Sequence, residues 1–261
     1  MKKVLFFATV SLLAFSSCKK DKDQTEKQKV FKGDAQIFQH GKAWTSYEVD
    51  DAGNPFRIAI VMDDAAMNSL DTSAPDGPGH HHENSLSLKL HPKATAGTPF
   101  THALLDWNPK GHEPAGVYDK PHFDFHFYTI SKADRLAIPV YEQDSMNFKN
   151  LPAAVYMPPT YIAIPGGVPQ MGSHWLDVTT PEINGQPFTQ TFLYGSYNGK
   201  VAFIEPMITE AFIKANPGFE RSIPVASKFQ KAGWYPTKMR IAKENGATNI
   251  ILEGFVQRQA L

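Results

Sequence analysis

The chain has 261 residues, of which 42% are hydrophobic and 20% charged, and its 26 Lys plus Arg equal its 26 Asp plus Glu. Because no Lys/Arg cluster is interleaved with aromatic residues, the sequence argues against nucleic acid as a partner. The one cysteine excludes an intrachain disulfide and a zinc site built from several cysteines. Stability must therefore come from an ordinary hydrophobic core, for which this length is ample.

The N-terminus resembles a bacterial lipoprotein signal peptide. Lys2 and Lys3 precede the apolar run "VLFFATVSLLAF", which ends in "SSC" and is too short for a permanent membrane-spanning helix. We predict a signal peptide in residues 1–17, acylation of Cys18 and a polar tether in residues 18–30. The expected location is extracytoplasmic, periplasmic or at the cell surface, with the membrane as a partner through the lipid on Cys18. A plain secretory signal with an incidental cysteine is the alternative.

Alternating apolar residues predict a series of strands in the N-terminal half of the folded part. They occupy residues 34–49, 56–62, 84–91, 100–107 and 122–130. Their spacing is typical of an antiparallel meander. The Pro- and Gly-rich residues 73–83 predict an exposed loop, and its histidines His80–His82 favour a surface loop over a metal site.

Helices are predicted only twice. Residues 131–138 form one, capped by Ser131 and stopped by Pro139, and residues 206–216 form another that starts with Pro206. The C-terminal residues 237–244 and 249–258 return to strands joined through the hairpin sequence "NGAT". Between the helices, the proline-rich residues 151–175 favour an irregular segment rather than regular central strands.

These patterns predict one β-rich domain in residues 31–261. The fold class is mainly β, a single antiparallel β-sandwich or distorted barrel with two short helices. Phe123, Phe125 and Phe127 are expected in its core. A parallel α/β sheet is the least favoured alternative because no βαβ order is visible.

Three long motifs carry a resemblance to a known group. They are "WNPKGHEPAGVYDKPHFDFHFY" (107–128), "MGSHWLD" (171–177) and "TFLYGSYNGKVAFIEPMIT" (191–209). In this order they are similar to domain-of-unknown-function family 5602, a group of bacterial exported proteins. The resemblance covers about residues 35–215 and implies a shared fold and a shared site, but it transfers no established activity.

The stretch "PHFDFHFY" points to that site. Its polar residues His122, Asp124, His126 and Tyr128 alternate with phenylalanines and would therefore share one face of a strand. On one strand face, residues two apart are separated by about 6.6 Å and residues four apart by about 13 Å. His122 and His126 therefore cannot easily chelate the same ion, and a metal site would combine Asp124 with one histidine and ligands from elsewhere.

Two further residues are the best ligands from elsewhere. His174 is expected on a loop shaped by Gly and Pro, and Glu205 is an acid in an apolar segment where an unpaired carboxylate would be costly. We predict that His122, Asp124, His126, His174 and Glu205 converge on one pocket. Its predicted rim is formed by His112, Glu113, Tyr128 and Asp177.

Three interpretations of this polar face stay open. It is a hydrogen-bonded seam, a metal site, or a metal-free binding pocket. A divalent metal such as zinc would make the protein a metal-assisted hydrolase or lyase of a small extracytoplasmic substrate. The alternative is a non-enzymatic ligand-binding or stress-response structural module. A small molecule is the expected partner besides the membrane, and the sequence is compatible with an oligomer.

Overall fold

The computed structural model describes Met1 and residues 28–73 and 84–261. Cys18, the loop histidines His80–His82 and the predicted signal peptide beyond Met1 lie outside the described residues. Strand β1 (Lys29–Lys32) already begins inside the segment expected to be a tether. No helix in the described part of the chain is long and apolar enough to cross a membrane.

Strands dominate the structure, as the alternating pattern predicts. After β1, the strands of the described residues are β2 (Gln36–Phe38), β3 (Gly41–Val49), β4 (Pro55–Asp63), β5 (Ser85–Lys89), β6 (His102–Asn108), β7 (His122–Tyr128), β8 (Tyr161–Ala163), β9 (Ser173–Asp177), β10 (Gln190–Tyr197), β11 (Lys200–Thr209), β12 (Glu220–Ser222), β13 (Gly233–Tyr235), β14 (Lys238–Glu244), β15 (Ala247–Glu253) and β16 (Val256–Arg258).

Two antiparallel sheets pack face to face. The first has the strand order β1-β3-β4-β15-β14-β12 with β2 paired to β3, and the second has the order β5-β6-β7-β11-β10-β9-β8. β13 and β16 form a small separate pair. Among the described strands neither sheet closes on itself, so the predicted antiparallel β-sandwich is confirmed and the distorted barrel is not what forms.

The core between the sheets contains the odd-numbered side chains of β7. Phe123, Phe125 and Phe127 are fully buried and belong to one cluster with Ile58 and Ile250 of the opposite sheet. This prediction is confirmed. Because side chains alternate along a strand, the even-numbered residues of β7 must point to the other face of the second sheet, away from the core.

The prediction of only two helices is wrong. The described residues form α1 (Asp64–Asn68), α2 (Pro92–Gly97), α3 (Lys132–Leu136), α4 (Tyr141–Lys149) and α5 (Glu210–Ala215). The helix at α3 is confirmed, with the Ser131 hydroxyl accepting from the Asp134 amide. The unpredicted helices are short, and α1 and α2 begin at local caps: in α1 the Asp63 carboxylate accepts from the Ala66 amide. Helices this short carry too little periodicity to be recognised in the sequence.

The predicted start of the second helix at Pro206 is also wrong. β11 continues through Pro206 to Thr209, and α5 begins at Glu210 with Thr209 as its cap. Pro206 cannot donate a hydrogen bond, so the ladder between β7 and β11 is interrupted there, while the register is the same at Ile204 and at Met207. Pairing on both sides of this central strand overrides the helix-start signal of a proline.

The proline-rich segment forms two short strands as well as irregular chain. β8 and β9 extend the second sheet beyond β10, so His174 lies on a strand and not on the predicted loop. The prolines fall outside both strands, which removes the obstacle to pairing. By contrast, the C-terminal hairpin is confirmed: Asn245 and Gly246 have φ values of 52° and 73° and connect β14 to β15 in a tight turn.

Candidate metal centre

The outer face of the second sheet is polar because neighbouring strands place ionisable residues side by side. In the register of β6 and β7, Asp106 pairs with Asp124 and Asn108 with His122. Glu205 of β11 is the next acid across the sheet, and its side chain is only 2% exposed. Burial of this many charged groups requires partners for each of them.

A cavity of about 270 Å³ opens onto this face. Asp124, His126 and Glu205 line it from the sheet, and His174 lines it from β9. Ile164 and other residues of the irregular segment form an apolar wall. The cavity therefore has a charged floor and an apolar wall and is large enough for a small molecule.

The first group of converging side chains, called here the Glu205 group, consists of His126, His174 and Glu205. The Glu205 Oε2 atom lies 3.5 Å from His126 Nε2 and 4.0 Å from His174 Nε2. One ligand atom of each residue lies within 4.8 Å of those of the others. Because metal bonds to nitrogen and oxygen are about 2.0–2.2 Å long, atoms this close could surround one ion.

Two neighbours fix the histidines of the Glu205 group. The ring of Phe203 contacts His126 edge-to-face at 4.8 Å between centroids and His174 at 5.4 Å. This ring occupies the space over Gly195, where an added Cβ would collide with it. On the other side of His126, its Nδ1 atom lies 3.1 Å from Asp106 Oδ2. A carboxylate near Nδ1 and a second one near Nε2 is an arrangement typical of metal-binding histidines, although neither ring nitrogen makes a hydrogen bond within the described residues.

The second group, called here the Asp124 group, consists of His112, His122 and Asp124. His112 Nδ1 lies 2.7 Å from the Glu113 carbonyl oxygen, and His122 Nδ1 lies 2.7 Å from the Lys120 carbonyl oxygen. A carbonyl only accepts, so both histidines carry their proton on Nδ1. The Nε2 atoms of His112 and His122 lie 3.3 and 3.2 Å from the Asp124 carboxylate.

Several buried atoms at this face make no hydrogen bond within the described residues. They are Asp106 Oδ2, Tyr118 Oη, His122 Nε2, Asp124 Oδ1, both ring nitrogens of His126, and Glu205 Oε2. For the histidine and carboxylate atoms, the distances to their neighbours are those of ion pairs, but the bond angles are not those of hydrogen bonds. The angles decide the issue, because an N–H that does not point at its acceptor contributes little. A buried polar atom without a partner is costly, so these atoms mark a place for a further ligand.

The electrostatics of the two carboxylates differ. Burial, reinforced by the charges of Asp124 and Asp106, raises the pKa of Glu205 well above its usual range. Burial would also raise the pKa of Asp124, but His122 and His112 hold it well below its usual range. For His112, burial lowers the pKa, but the charge of Asp124 together with the hydrogen bonds to Asp124 and to the Glu113 carbonyl raises it, and the net shift is upward. The histidines beside Asp124 therefore favour its ionised form, whereas the nearest acids disfavour the ionised form of Glu205.

The structure brings most of the predicted site residues together. Asp124, His126, His174 and Glu205 line one cavity, as do the rim residues His112 and Glu113. His122 is fully buried behind Asp124 and does not line the cavity itself. It belongs to a different group from His126, as the four-residue spacing on one strand requires.

Two predicted rim residues lie elsewhere. The Tyr128 ring stacks on His126 at 5.6 Å, and its hydroxyl donates to the Gln170 carbonyl at 3.3 Å. Asp177 accepts from the Thr179 amide and hydroxyl at 3.0 and 2.7 Å, which makes it a turn residue. Neither one lines the cavity, because Tyr128 packs beside its floor and Asp177 ends β9.

Sequence reasoning missed three residues of this site. Asp106 and Asn108 alternate with Leu105 and Trp107 in "LDWN", a pattern that could have revealed a second polar strand face. Asn108 Nδ2 donates to Asp124 Oδ2 at 2.8 Å. Tyr118, whose buried hydroxyl has no partner among the described residues, sits in a Gly/Pro turn that gave no signal of its role.

The chain matches no protein-family model, and comparisons with curated proteins and with solved structures find no match. The resemblance to domain-of-unknown-function family 5602 therefore stays a prediction. The His/Asp/Glu groups described above could hold a metal ion, and this conclusion depends on geometry alone.

Proposed function

We propose that the protein is a metal-dependent hydrolase or lyase that acts on a small substrate in this cavity. The ion is held by the Glu205 group. The observation that carries the proposal is the pair His126 Nε2 and Glu205 Oε2, two buried atoms 3.5 Å apart that face each other without a hydrogen bond. A divalent cation between them would satisfy both.

A hydrogen-bonded seam explains this pair less well. In a seam, His126 would donate to a carboxylate, but neither of its ring nitrogens makes a hydrogen bond within the described residues, although Asp106 Oδ2 and Glu205 Oε2 lie 3.1 and 3.5 Å away. Asp106 in turn accepts from the Ser85 hydroxyl, so its orientation is fixed as well. A carboxylate that orients a histidine from behind is the usual support of a metal ligand.

Two histidines and one carboxylate suit zinc in a catalytic site. Such a ligand set leaves a coordination position for water or substrate, and the ion supplies Lewis-acid activation there. The residues of this chain would do the rest: Ile164 and Val168 of the apolar wall exclude water. The hydroxyl of Tyr118 is free to donate to a substrate oxygen, since burial raises the pKa of Tyr118 and keeps it neutral.

Elemental analysis of protein produced without a His tag tests the proposal. His80, His81 and His82 should be replaced by alanine in every sample, so that this tract contributes no bound metal. We expect stoichiometric metal that is lost in His174→Ala and retained in His40→Ala, a histidine exposed in a turn far from the cavity in sequence. Protein without metal, and with a thermal stability indifferent to zinc and to chelators, would overturn the proposal in favour of a non-enzymatic module.

We also propose that the mature protein is anchored by lipid at Cys18 on the extracytoplasmic side of a bacterial membrane. The support is the sequence alone, in which Lys2 and Lys3, the apolar run and the small residues before Cys18 follow one another. Cys18→Ala should move the protein from the detergent phase to the aqueous phase on partitioning. A variant that remains wholly in the detergent phase would contradict the anchor.

A further inference from the structure

We propose that a second divalent cation binds at the same cavity, held by His112, His122 and Asp124. This inference rests on the proposed function and extends it. It assigns the Asp124 group a role as a metal site in its own right, separate from the Glu205 group.

The two histidines of the Asp124 group both direct Nε2 towards the carboxylate. His112 and His122 each use Nδ1 to donate to a backbone carbonyl at 2.7 Å. His112 Nε2 makes a hydrogen bond with Asp124 Oδ2 at 3.3 Å, whereas His122 Nε2 lies 3.2 Å from Asp124 Oδ1 without one. A divalent cation bound by the Nε2 lone pairs of both rings would replace the proton between His112 and Asp124 and would give His122 Nε2 and Asp124 Oδ1 the partner that they lack.

Missing hydrogen bonds point to the same place. His122 Nε2 and Asp124 Oδ1 are buried and have no hydrogen-bond partner among the described residues. The other carboxylate oxygen, Asp124 Oδ2, already accepts from Asn108 Nδ2 at 2.8 Å. The side chain of Asp124 is therefore held at one oxygen and open at the other, as a monodentate ligand would be.

Charge balance favours two cations over one. Asp106, Asp124 and Glu205 are all buried, and within the described residues their ion pairs are with histidines. No lysine or arginine lines the cavity among the residues that the structure describes. With neutral histidines and all three carboxylates ionised, one divalent cation would leave a negative charge uncompensated in a buried site. Two cations exceed the carboxylates by one charge, which a single anionic ligand in the cavity would balance.

The second site is also open to the cavity, and the loop that carries His112 has a fixed conformation. The His112 side chain is 15% exposed and borders the cavity together with Asp124. It is delivered by Gly111, whose φ of 83° is left-handed and where an added Cβ would collide with the backbone at Tyr118 and Asp119. An ion can therefore enter from the cavity, and the loop that carries His112 has one defined course.

Zinc counting separates the two sites. Untagged protein carrying the alanine replacements at His80, His81 and His82 should be stripped with a chelator, loaded with zinc, freed of excess by gel filtration and analysed for metal per chain. We expect two zinc ions in this parent, one in His112→Ala, one in His174→Ala, none in the double variant and two in His40→Ala. His112→Gln keeps a hydrogen-bond donor for the Glu113 carbonyl and should also bind one zinc ion. This variant controls for a folding defect in His112→Ala. Circular dichroism of each variant checks the fold.

The outcomes distinguish this inference from the proposed function. One zinc ion in the parent that is lost in His174→Ala and unaffected in His112→Ala overturns the second site and leaves the proposed function standing. One zinc ion that is lost in either variant overturns the second site in favour of a single shared site. No zinc in the loaded parent overturns both.

Discussion

The two faces of strand β7 differ in whether the chain supplies a partner for every buried side-chain atom. On the core face, Phe123, Phe125 and Phe127 are fully buried among apolar residues of both sheets. On the outer face, His122, Asp124 and His126 are buried as deeply, yet each leaves an atom without a hydrogen bond within the described residues. Burial alone therefore does not distinguish structure from function on this strand. The unsatisfied polar atoms do, because they require a ligand that the chain does not provide.

The largest expected effect of a single substitution is on the core face. Phe125→Ala removes a fully buried aromatic ring and should lower the free energy of unfolding by about 3–5 kcal/mol, as large-to-small changes in a packed core do. The measurement is chemical denaturation of metal-loaded protein. Its metal content should stay that of the parent, since the side chain points away from the cavity. A loss of metal without a loss of stability would mean that the two faces are not independent.

On the outer face, removal of the metal is the change that corresponds to Phe125→Ala on the core face. If zinc is present at about a hundred times its dissociation constant, chelation should lower the free energy of unfolding by about 2.7 kcal/mol per site. His126→Ala should abolish the part of this effect that belongs to the Glu205 group, because Nε2 of that ring faces Glu205. Denaturation curves with and without chelator provide the measurement. Identical curves in the parent would show that nothing binds to this face.

A smaller effect is expected for Asp106, which supports His126 without lining the cavity. Asp106→Asn should weaken zinc binding about 10- to 100-fold and leave its stoichiometry unchanged, as loss of an outer carboxylate does at other sites. Asp177→Asn is the control, since Asp177 is a buried acid at the end of β9 whose partners lie in a turn and which does not line the cavity. Equal affinities for the two variants in a zinc titration would refute the orienting role of Asp106.

The same comparison explains what could be predicted from the sequence. The alternation in "HFDFHFY" is a local pattern, so it predicted both faces of β7 and the burial of the phenylalanines. Convergence of Asp124, His126, His174 and Glu205 was predicted from desolvation, because burying an isolated charge is unfavourable in free energy. The roles of Asp106 and Asn108 depend on the register between β6 and β7, which is set by pairing across the sheet and leaves no trace in either strand alone.

The predicted helix start and the predicted loop failed for a related reason. Pro206 is a strong local signal for a helix N-terminus, and the prolines before His174 are strong local signals for a loop. In both places pairing with β10 satisfies the backbone, and strand structure wins. Local signals near the site were therefore overridden by the sheet that positions it.

The smallest effect, and the sharpest test of an unsatisfied atom, concerns two buried tyrosines. Tyr194 donates to the Pro224 carbonyl at 2.7 Å, so Tyr194→Phe should cost about 1 kcal/mol by removing a hydrogen bond. The Tyr118 hydroxyl has no partner among the described residues, so Tyr118→Phe should change the free energy of unfolding by less than about 0.5 kcal/mol or raise it slightly. Denaturation of the two variants side by side measures the difference. If Tyr118→Phe costs as much as Tyr194→Phe, its hydroxyl is engaged in the folded protein and is not available to a substrate.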